Sequence, residues 1–557
     1  MEDDGIVRQS ANYTPSVWGD YFIKHSAPFS SSIEKTEEWI SERVEQLVGL
    51  VKNLLESTDY SKDEFDILQL IDALQRLGIS YHFEEQIDKK LRDIYDHNYG
   101  ESHEINLQAA ALKFRLLRQH GYRVTSDVFR KYKDEEGEFR SDLADDVRGL
   151  LSLYEACFMA THEDDILNEA LSFTEHHLQR LSLEKEDLQH ESPALKKLIS
   201  QALELPLHRR IPRLGARYYI DAYEHDKEQR NDTILELAKL DFHLLQLLHY
   251  EEARSLSIWW KGIGCSEIFK FSRDRIVECY FWILSVYFEP QYSKARKITT
   301  KVIALLSITD DIYDAYGTSD ELQSFTNVIQ RWDMEAAEQL KEYLKIQFHN
   351  LNRAFQEFED ELSSNGKSYR VHYLKEILKV VVRAWNMEVK WRNEGYIPAL
   401  KEHLQVTTVT TCYNLLTCAS LIGMGDEVTI EAFDWISSFP EFTYQASLIC
   451  RLRDDVVSQE FEQKRNHVAS AVQCYMNEHN STLDDSCKML LKLVESSWKS
   501  LNHEYLSLSK TFTKAVLMRV INLARVMETA YDVHDKYTHS ALIKDQISLL
   551  LIEPLSF

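Results

Sequence analysis

The chain has 557 residues, too many for one ordinary core, so two domains are the prior expectation. Its 64 basic and 90 acidic residues give a net charge of −26, which disfavours nucleic acid and anionic membranes as partners. Only 16 Gly and 9 Pro leave few turns and breakers, so an all-α chain is expected, and charges interrupt every apolar segment well before the ~20 residues a membrane span needs.

The start, Met1-Glu2-Asp3-Asp4-Gly5, is acidic and has no apolar run. It fits neither a secretory signal nor an organelle transit peptide, so the mature protein is expected to begin near residue 1. Pro15, Trp18, Pro28 and several Ser predict an extended arm. Apolar periodicity then predicts helices over 34–55, 63–77, 84–95, 105–119, 141–158, 163–180 and 192–204. Within this half, Asp164-Asp165 reads as a solvated helix face. Pro206 and Pro212 mark a break, and a helical segment over 230–248 leads into longer, more apolar helices. The domain boundary is expected near 235–240, giving domains 1–235 and 236–557. Residues 363–368 and 393–398 read as loops. The eight cysteines contain no C-x-x-C pair, which suggests reduced thiols in the cytoplasm rather than a zinc site or a disulfide framework.

Two acidic clusters carry the chemistry. Asp310-Asp311-Ile312-Tyr313-Asp314 follows the apolar run Val302–Leu306, and Asp454-Asp455 with Ser458 and Glu462 follows Arg451-Leu452-Arg453. A step of four residues returns to nearly the same helix face. Asp310 and Asp314 therefore share one face, as do Asp454, Ser458 and Glu462. Hard oxygen ligands suit Mg²⁺, which keeps waters and shares its sphere with substrate phosphates. Cationic residues beside both clusters point to a site that grips a diphosphate through metal ions.

Further segments recur with these clusters: Arg273-Asp274-Arg275 ahead of Ile276–Trp282, the run Phe288–Ser293, and Arg8 with Trp18. In order and spacing, over essentially the whole chain, they resemble the plant terpene synthases, specifically the sesquiterpene synthases of flowering plants. The resemblance implies a C-terminal class I helical bundle and an N-terminal α-barrel-like helical domain. It implies three Mg²⁺ ions, with Mn²⁺ expected to substitute. Asp310 and Asp314 would hold two of them with Asp311 in support, and Asp454, Ser458 and Glu462 would hold the third. It implies that Arg273, Arg275 and Arg451 donate to the diphosphate. Trp282, Tyr413 and Tyr531 would line the carbocation pocket, beside Tyr537 and the Asp535 loop that closes over the site. The substrate implied is farnesyl diphosphate, on a cytoplasmic monomer with an arm that helps cap the site.

The chain departs from the family in places. Lys536 stands where a Gly usually precedes the lid Tyr, and the loop from Tyr531 to Asp535 is one residue short. Gln9 follows Arg8 where synthases of ten-carbon products often carry a second Arg, which favours the fifteen-carbon substrate over geranyl diphosphate. No Asp-x-Asp-Asp motif supports proton-initiated cyclisation. A chain-elongating prenyltransferase would need a second aspartate-rich motif of the first form. A non-catalytic apolar-ligand binder would not need every metal position filled, and phosphate-ester hydrolysis would be expected to place more His beside the acids.

Overall fold

The structure, a computed structural model, describes residues 8, 11–28, 35–57, 64–98, 106–183, 192–462 and 467–556. Among these residues the regular structure is helical, apart from two isolated antiparallel bridges, Lys133–Phe139 and Tyr531–Asp535. No described helix is long and apolar enough to cross a membrane. All eight cysteines are unpaired.

The predicted helices are present as Glu37–Ser57, Glu64–Arg76, Glu84–Asn98, Leu107–Gln119, Val147–Cys157, Asp165–Leu183 and Pro193–Glu204. Their ends follow local chemistry. Asn106 caps its helix by accepting from the Ala109 amide at 2.8 Å, and Ser192 caps the helix that Pro193 opens. The stretch predicted as one helix over 141–158 is a 3₁₀ turn, Ser141–Asp145, followed by an α-helix that Asp146 caps. The predicted break at Pro206 holds only until Pro212, which opens the helix Pro212–His225. Residue 9 and the predicted helix starts at 34, 63 and 105 lie outside the described residues.

Backbone contacts divide the chain into two compact units: Met1–Ala27 with His249–Trp498 and Ala515–Ser548, and Pro28–Leu248 with Lys499–Lys514 and Leu549–Phe557. One of the passages between them, at Leu248–His249, falls inside the helix Asp232–Gly262, where no breaker residue marks it. The expected boundary at 235–240 falls in that same helix.

In the Pro28–Leu248 unit, three successive helices bury Leu150, Tyr154, Leu178, Leu181, Leu195 and Ile199 against one another. Burial of each such side chain contributes about 1.5–3 kcal/mol. Asp164, expected on the surface, is 4% exposed. Its carboxylate takes two bonds from Arg118, at 2.5 and 2.9 Å, and two more from the Thr161 amide and hydroxyl, both at 2.8 Å. Burial pushes that carboxyl up, but the Arg118 guanidinium outweighs it and holds it at about 2. Asp165 is exposed as expected. The short-range pattern could not distinguish the two acids, because Arg118 reaches Asp164 from 46 residues away.

In the other unit, the helix Ser293–Asp311 packs between Ile276–Val286 and Tyr413–Ile422. Every residue of Ile276–Val286 is buried. Glu252, Arg296 and Tyr280 fix these helices through buried bonds of 2.7–2.8 Å, in which the Arg296 guanidinium and the Tyr280 hydroxyl donate to the Glu252 carboxylate. Gly423 permits close approach at the end of Tyr413–Ile422, since a Cβ there would lie 2.6 Å from Ala295 Cα.

Candidate functional site

One cavity in this unit is lined by residues of six of its α-helices, the turn Ile312–Tyr316 and several connecting segments, among them the chain that follows Ala530. Asp310 and Asp314 of the first acidic cluster and Asp454 of the second all reach the cavity. Arg273, Trp282, Tyr413, Arg451, Tyr531, Asp535 and Tyr537 line it too.

The first acidic cluster spans a change of helix type. Ser293–Asp311 is α-helical, and Ile312–Tyr316 widens into a π turn closed by Gly317 N–H donating to Ile312 C=O at 2.8 Å. Gly317 is needed for this closure, because a Cβ there would lie 2.4 Å from Leu322 Cδ2 and 3.1 Å from the Ile312 oxygen. Arg392 caps the widened turn, donating to the carbonyls of Tyr313 and Asp314.

Adjacent Asp310 and Asp311 part company. Asp310 stays in the cavity wall, with Arg273 Nη2 at 2.8 Å. Asp311 is fully buried and outside the wall; it accepts from Ser272 Oγ at 2.6 Å and the Arg273 amide at 2.8 Å, and pairs with the Arg273 guanidinium at 2.8 Å. It fixes the Arg273 segment from behind. Burial pushes the Asp310 carboxyl up, Asp314 and Asp311 push the same way, and Arg273 offsets part of this, leaving it at about 6. Opposing the burial penalty, Asp311, Tyr13 and Asp310 hold the Arg273 guanidinium firmly charged.

The second cluster lies on Glu441–Glu462. Arg451 reaches forward to both following acids, to Asp454 and, at 2.9 Å, to Asp455. Asp455 is buried and accepts from the Ala471 amide at 2.5 Å. Ser458 lies one turn beyond Asp454. It is outside the cavity wall, but its hydroxyl is buried and makes no hydrogen bond among the described residues. The side chain of Glu462 lies outside the described residues.

Among the wall residues that had no place in the sequence reading are Glu388, His467, Arg392 and Tyr13. Glu388 accepts from Thr410 Oγ1 at 2.8 Å, and burial pushes its carboxyl up to about 8 despite Arg451. The spacing Trp385-x-x-Glu388, which puts an acid on the buried face of an apolar helix, was the available signal. His467 pairs with Asp314 at 2.7 Å. Neither Arg392 nor Tyr13 carried a sequence signal.

The remainder of the wall is aromatic and apolar. Trp282 meets Tyr531 and Tyr537 edge to face, at 6.2 and 5.6 Å. Tyr413 follows the left-handed residue Cys412, φ 62°, where the helix breaks, and its hydroxyl donates to the Leu523 carbonyl at 2.9 Å. In the shortened loop, Tyr531 and Asp535 bridge each other, and Asp535 Oδ1 accepts from the amides of Tyr537 and Thr538 at 3.0 and 2.8 Å.

This donor set fits a hard divalent cation. Its members are carboxylates, one of them held unfavourably close to others of its charge, and an orphaned buried hydroxyl one turn from Asp454. Among the described residues no three His, Cys, Asp or Glu side chains are already gathered as a finished metal cage.

The model of the terpene synthase family's metal binding domain matches residues 261–500, and the model of the terpene synthase N-terminal domain matches residues 17–203. The chain is 44% identical to a (−)-germacrene D synthase of Vitis vinifera over 550 residues, 99% of this chain and 96% of that one. It is 44% identical to a sesquiterpene synthase of Cananga odorata over 549 residues, 98% of this chain and 95% of that one. Among solved structures, isoprene synthase of grey poplar in complex with three Mg²⁺ ions and dimethylallyl-S-thiolodiphosphate superposes with a TM-score of 0.84 at 32% identity, covering 93% of this chain and 97% of that one.

Proposed function

The chain belongs to the terpene synthase family, and we propose that it is a sesquiterpene synthase, ionising farnesyl diphosphate and cyclising the fifteen-carbon cation with release of diphosphate. The observation that carries this reading is one cavity with acids from two separate helices in its wall, an arginine beside each acidic cluster, and aromatic rings in the same wall. Asp310 and Asp314 would hold Mg²⁺ from one helix, and Asp454, Ser458 and Glu462 from the other. Bound metal supplies the charge that neutralises the leaving diphosphate as its C–O bond breaks.

The chain's own groups do the rest. Arg273 and Arg451 lie beside Asp310 and Asp454, where they can donate to the departed diphosphate and hold it away from the cation. Arg392 fixes the turn that presents Asp314. Trp282 and Tyr531 offer π faces to the cation, an attraction worth up to about 2 kcal/mol in a dry site. Burial keeps the Tyr531 and Tyr413 phenols neutral. A cytoplasmic location is part of the same proposal, supported by eight unpaired thiols, seven of them buried.

The test is incubation of purified protein with farnesyl, geranyl and geranylgeranyl diphosphates and Mg²⁺, followed by GC–MS. A cyclic fifteen-carbon hydrocarbon or alcohol, formed from farnesyl diphosphate in preference to the others, is expected. Preference for geranyl diphosphate would make it a synthase of ten-carbon products, and binding without turnover an apolar-ligand binder.

A further inference from the structure

Arg275 sits two residues after Arg273, and its chemistry is different. Its side chain is 1% exposed and does not line the cavity. Nε donates to the Tyr537 carbonyl at 3.0 Å, Nη1 to the Asp274 carbonyl at 3.0 Å, and Nη2 to the carbonyls of Thr14 and Thr538, both at 2.9 Å, and to Thr14 Oγ1 at 3.1 Å. All the acceptors are neutral oxygens, and they come from three separate stretches of chain. Two of these, the N-terminal arm and the segment after the Tyr531–Asp535 bridge, have no regular structure of their own to satisfy those carbonyls.

These stretches carry residues of the cavity wall. Tyr13 precedes Thr14, and Tyr537 and Thr538 belong to the wall directly. The Arg273 guanidinium lies 5.1 Å from the Tyr13 ring and 5.1 Å from the Tyr537 ring. Tyr537 also donates to Ser307 Oγ at 2.7 Å, on the helix that bears Asp310.

We infer that Arg275 is a positioning residue rather than a diphosphate ligand: it staples the N-terminal arm at Thr14 to the closing segment at Tyr537–Thr538, so that Tyr13 and Tyr537 flank Arg273 in the cavity wall. For Arg275 to reach a phosphate it would have to abandon four backbone carbonyls at once, two of them, on Tyr537 and Thr538, in buried hydrogen bonds. A planar guanidinium can span the two stretches, whereas a single ammonium cannot.

The inference rests on the proposed diphosphate chemistry for its catalytic consequence, but not for the staple itself. The experiment compares Arg275→Gln, Arg275→Lys and Arg273→Gln by hydrogen–deuterium exchange over 11–20 and 531–543, and by inhibition with inorganic diphosphate in the presence of Mg²⁺. Both Arg275 variants are expected to speed exchange in the two segments together by about tenfold or more, with the diphosphate inhibition constant changed by less than about twofold. Arg273→Gln is expected to do the reverse, weakening diphosphate by about tenfold or more. With farnesyl diphosphate, the Arg275 variants are expected to lower kcat more than they raise KM and to increase the share of water-captured acyclic alcohol. Arg275→Lys that restores diphosphate inhibition lost in Arg275→Gln, with exchange unchanged in both, would overturn the inference. If neither variant folds, a crystal structure of the unmodified protein with Mg²⁺ and inorganic diphosphate decides: the guanidinium still on the Thr14, Tyr537 and Thr538 carbonyls supports it, and the guanidinium on phosphate oxygens overturns it. The exchange measurement needs no turnover, so a failure of the proposed function leaves the staple separately testable.

Discussion

Asp310→Asn separates the cost of the acidic wall from its use. Asp310 sits at about 6 because burial, Asp314 and Asp311 outweigh Arg273. A carboxyl raised by about two pH units costs about 3 kcal/mol when ionised at neutral pH. The Asp310 side chain keeps 38% of its surface exposed, and solvent screening reduces the figure to about 1 kcal/mol. The folded protein holds this proton more tightly than the unfolded chain does. The favourable contribution is therefore complete below about pH 4 and is lost as pH rises through about 6. Asn has no proton to lose. In EDTA, the stability of Asp310→Asn relative to wild type should rise by about 1 kcal/mol between pH 4 and pH 7.5. The assay is urea unfolding at both pH values, beside diphosphate release from farnesyl diphosphate, which should fall by at least about 100-fold. Added Mg²⁺ and diphosphate should reverse the stability order, because only wild type binds them well. Normal turnover, or a variant that loses stability relative to wild type as pH rises, would refute the reasoning.

Glu388, raised to about 8 by burial, keeps its proton at neutral pH. Glu388→Gln, which can still accept from Thr410, should gain stability relative to wild type as pH rises from about 4.5 to about 8 and keep that gain above it; an unchanged difference between pH 4.5 and pH 9 would contradict this. Asp164→Asn leaves the buried Arg118 guanidinium without its charge partner and should cost about 3–5 kcal/mol in urea unfolding while leaving the product profile unchanged. Tyr531→Phe and Trp282→Leu should still release diphosphate yet shift the product mixture, with a larger acyclic or partly cyclised share for Trp282→Leu. An unchanged GC–MS profile in both variants would make these rings ordinary core.

Much of the fold was legible because helix periodicity and caps are local. Asn106, Ser192 and Gly395 end or begin helices by contacts within a few residues, and the predicted and observed bounds agree to within a few positions. The assembly of the cavity wall was legible in outline, since a four-residue step and a preceding apolar run identify which acids share a buried face. Side-chain direction at adjacent residues was less so. Asp310 and Asp311 differ by about 100° around the helix, and which of them faces the cavity depends on Ser272 and Arg273, from another part of the chain. Arg273 and Arg275 were read as one pair for the same reason. The carbonyls that claim Arg275 lie on Thr14 and Thr538, some 260 residues away in each direction, and no local pattern encodes them. His467 and Tyr13 reach the wall by tertiary placement alone.

The most direct test of the central claim, that two separate acidic clusters jointly hold one diphosphate, is anomalous diffraction from crystals grown with Mn²⁺ and an unreactive farnesyl diphosphate analogue. The account predicts metal peaks about 2.0–2.3 Å from oxygens of Asp310 and Asp314 and also of Asp454, with the diphosphate bridging the two clusters. Metal at one cluster alone, or a diphosphate bound away from both, would contradict it.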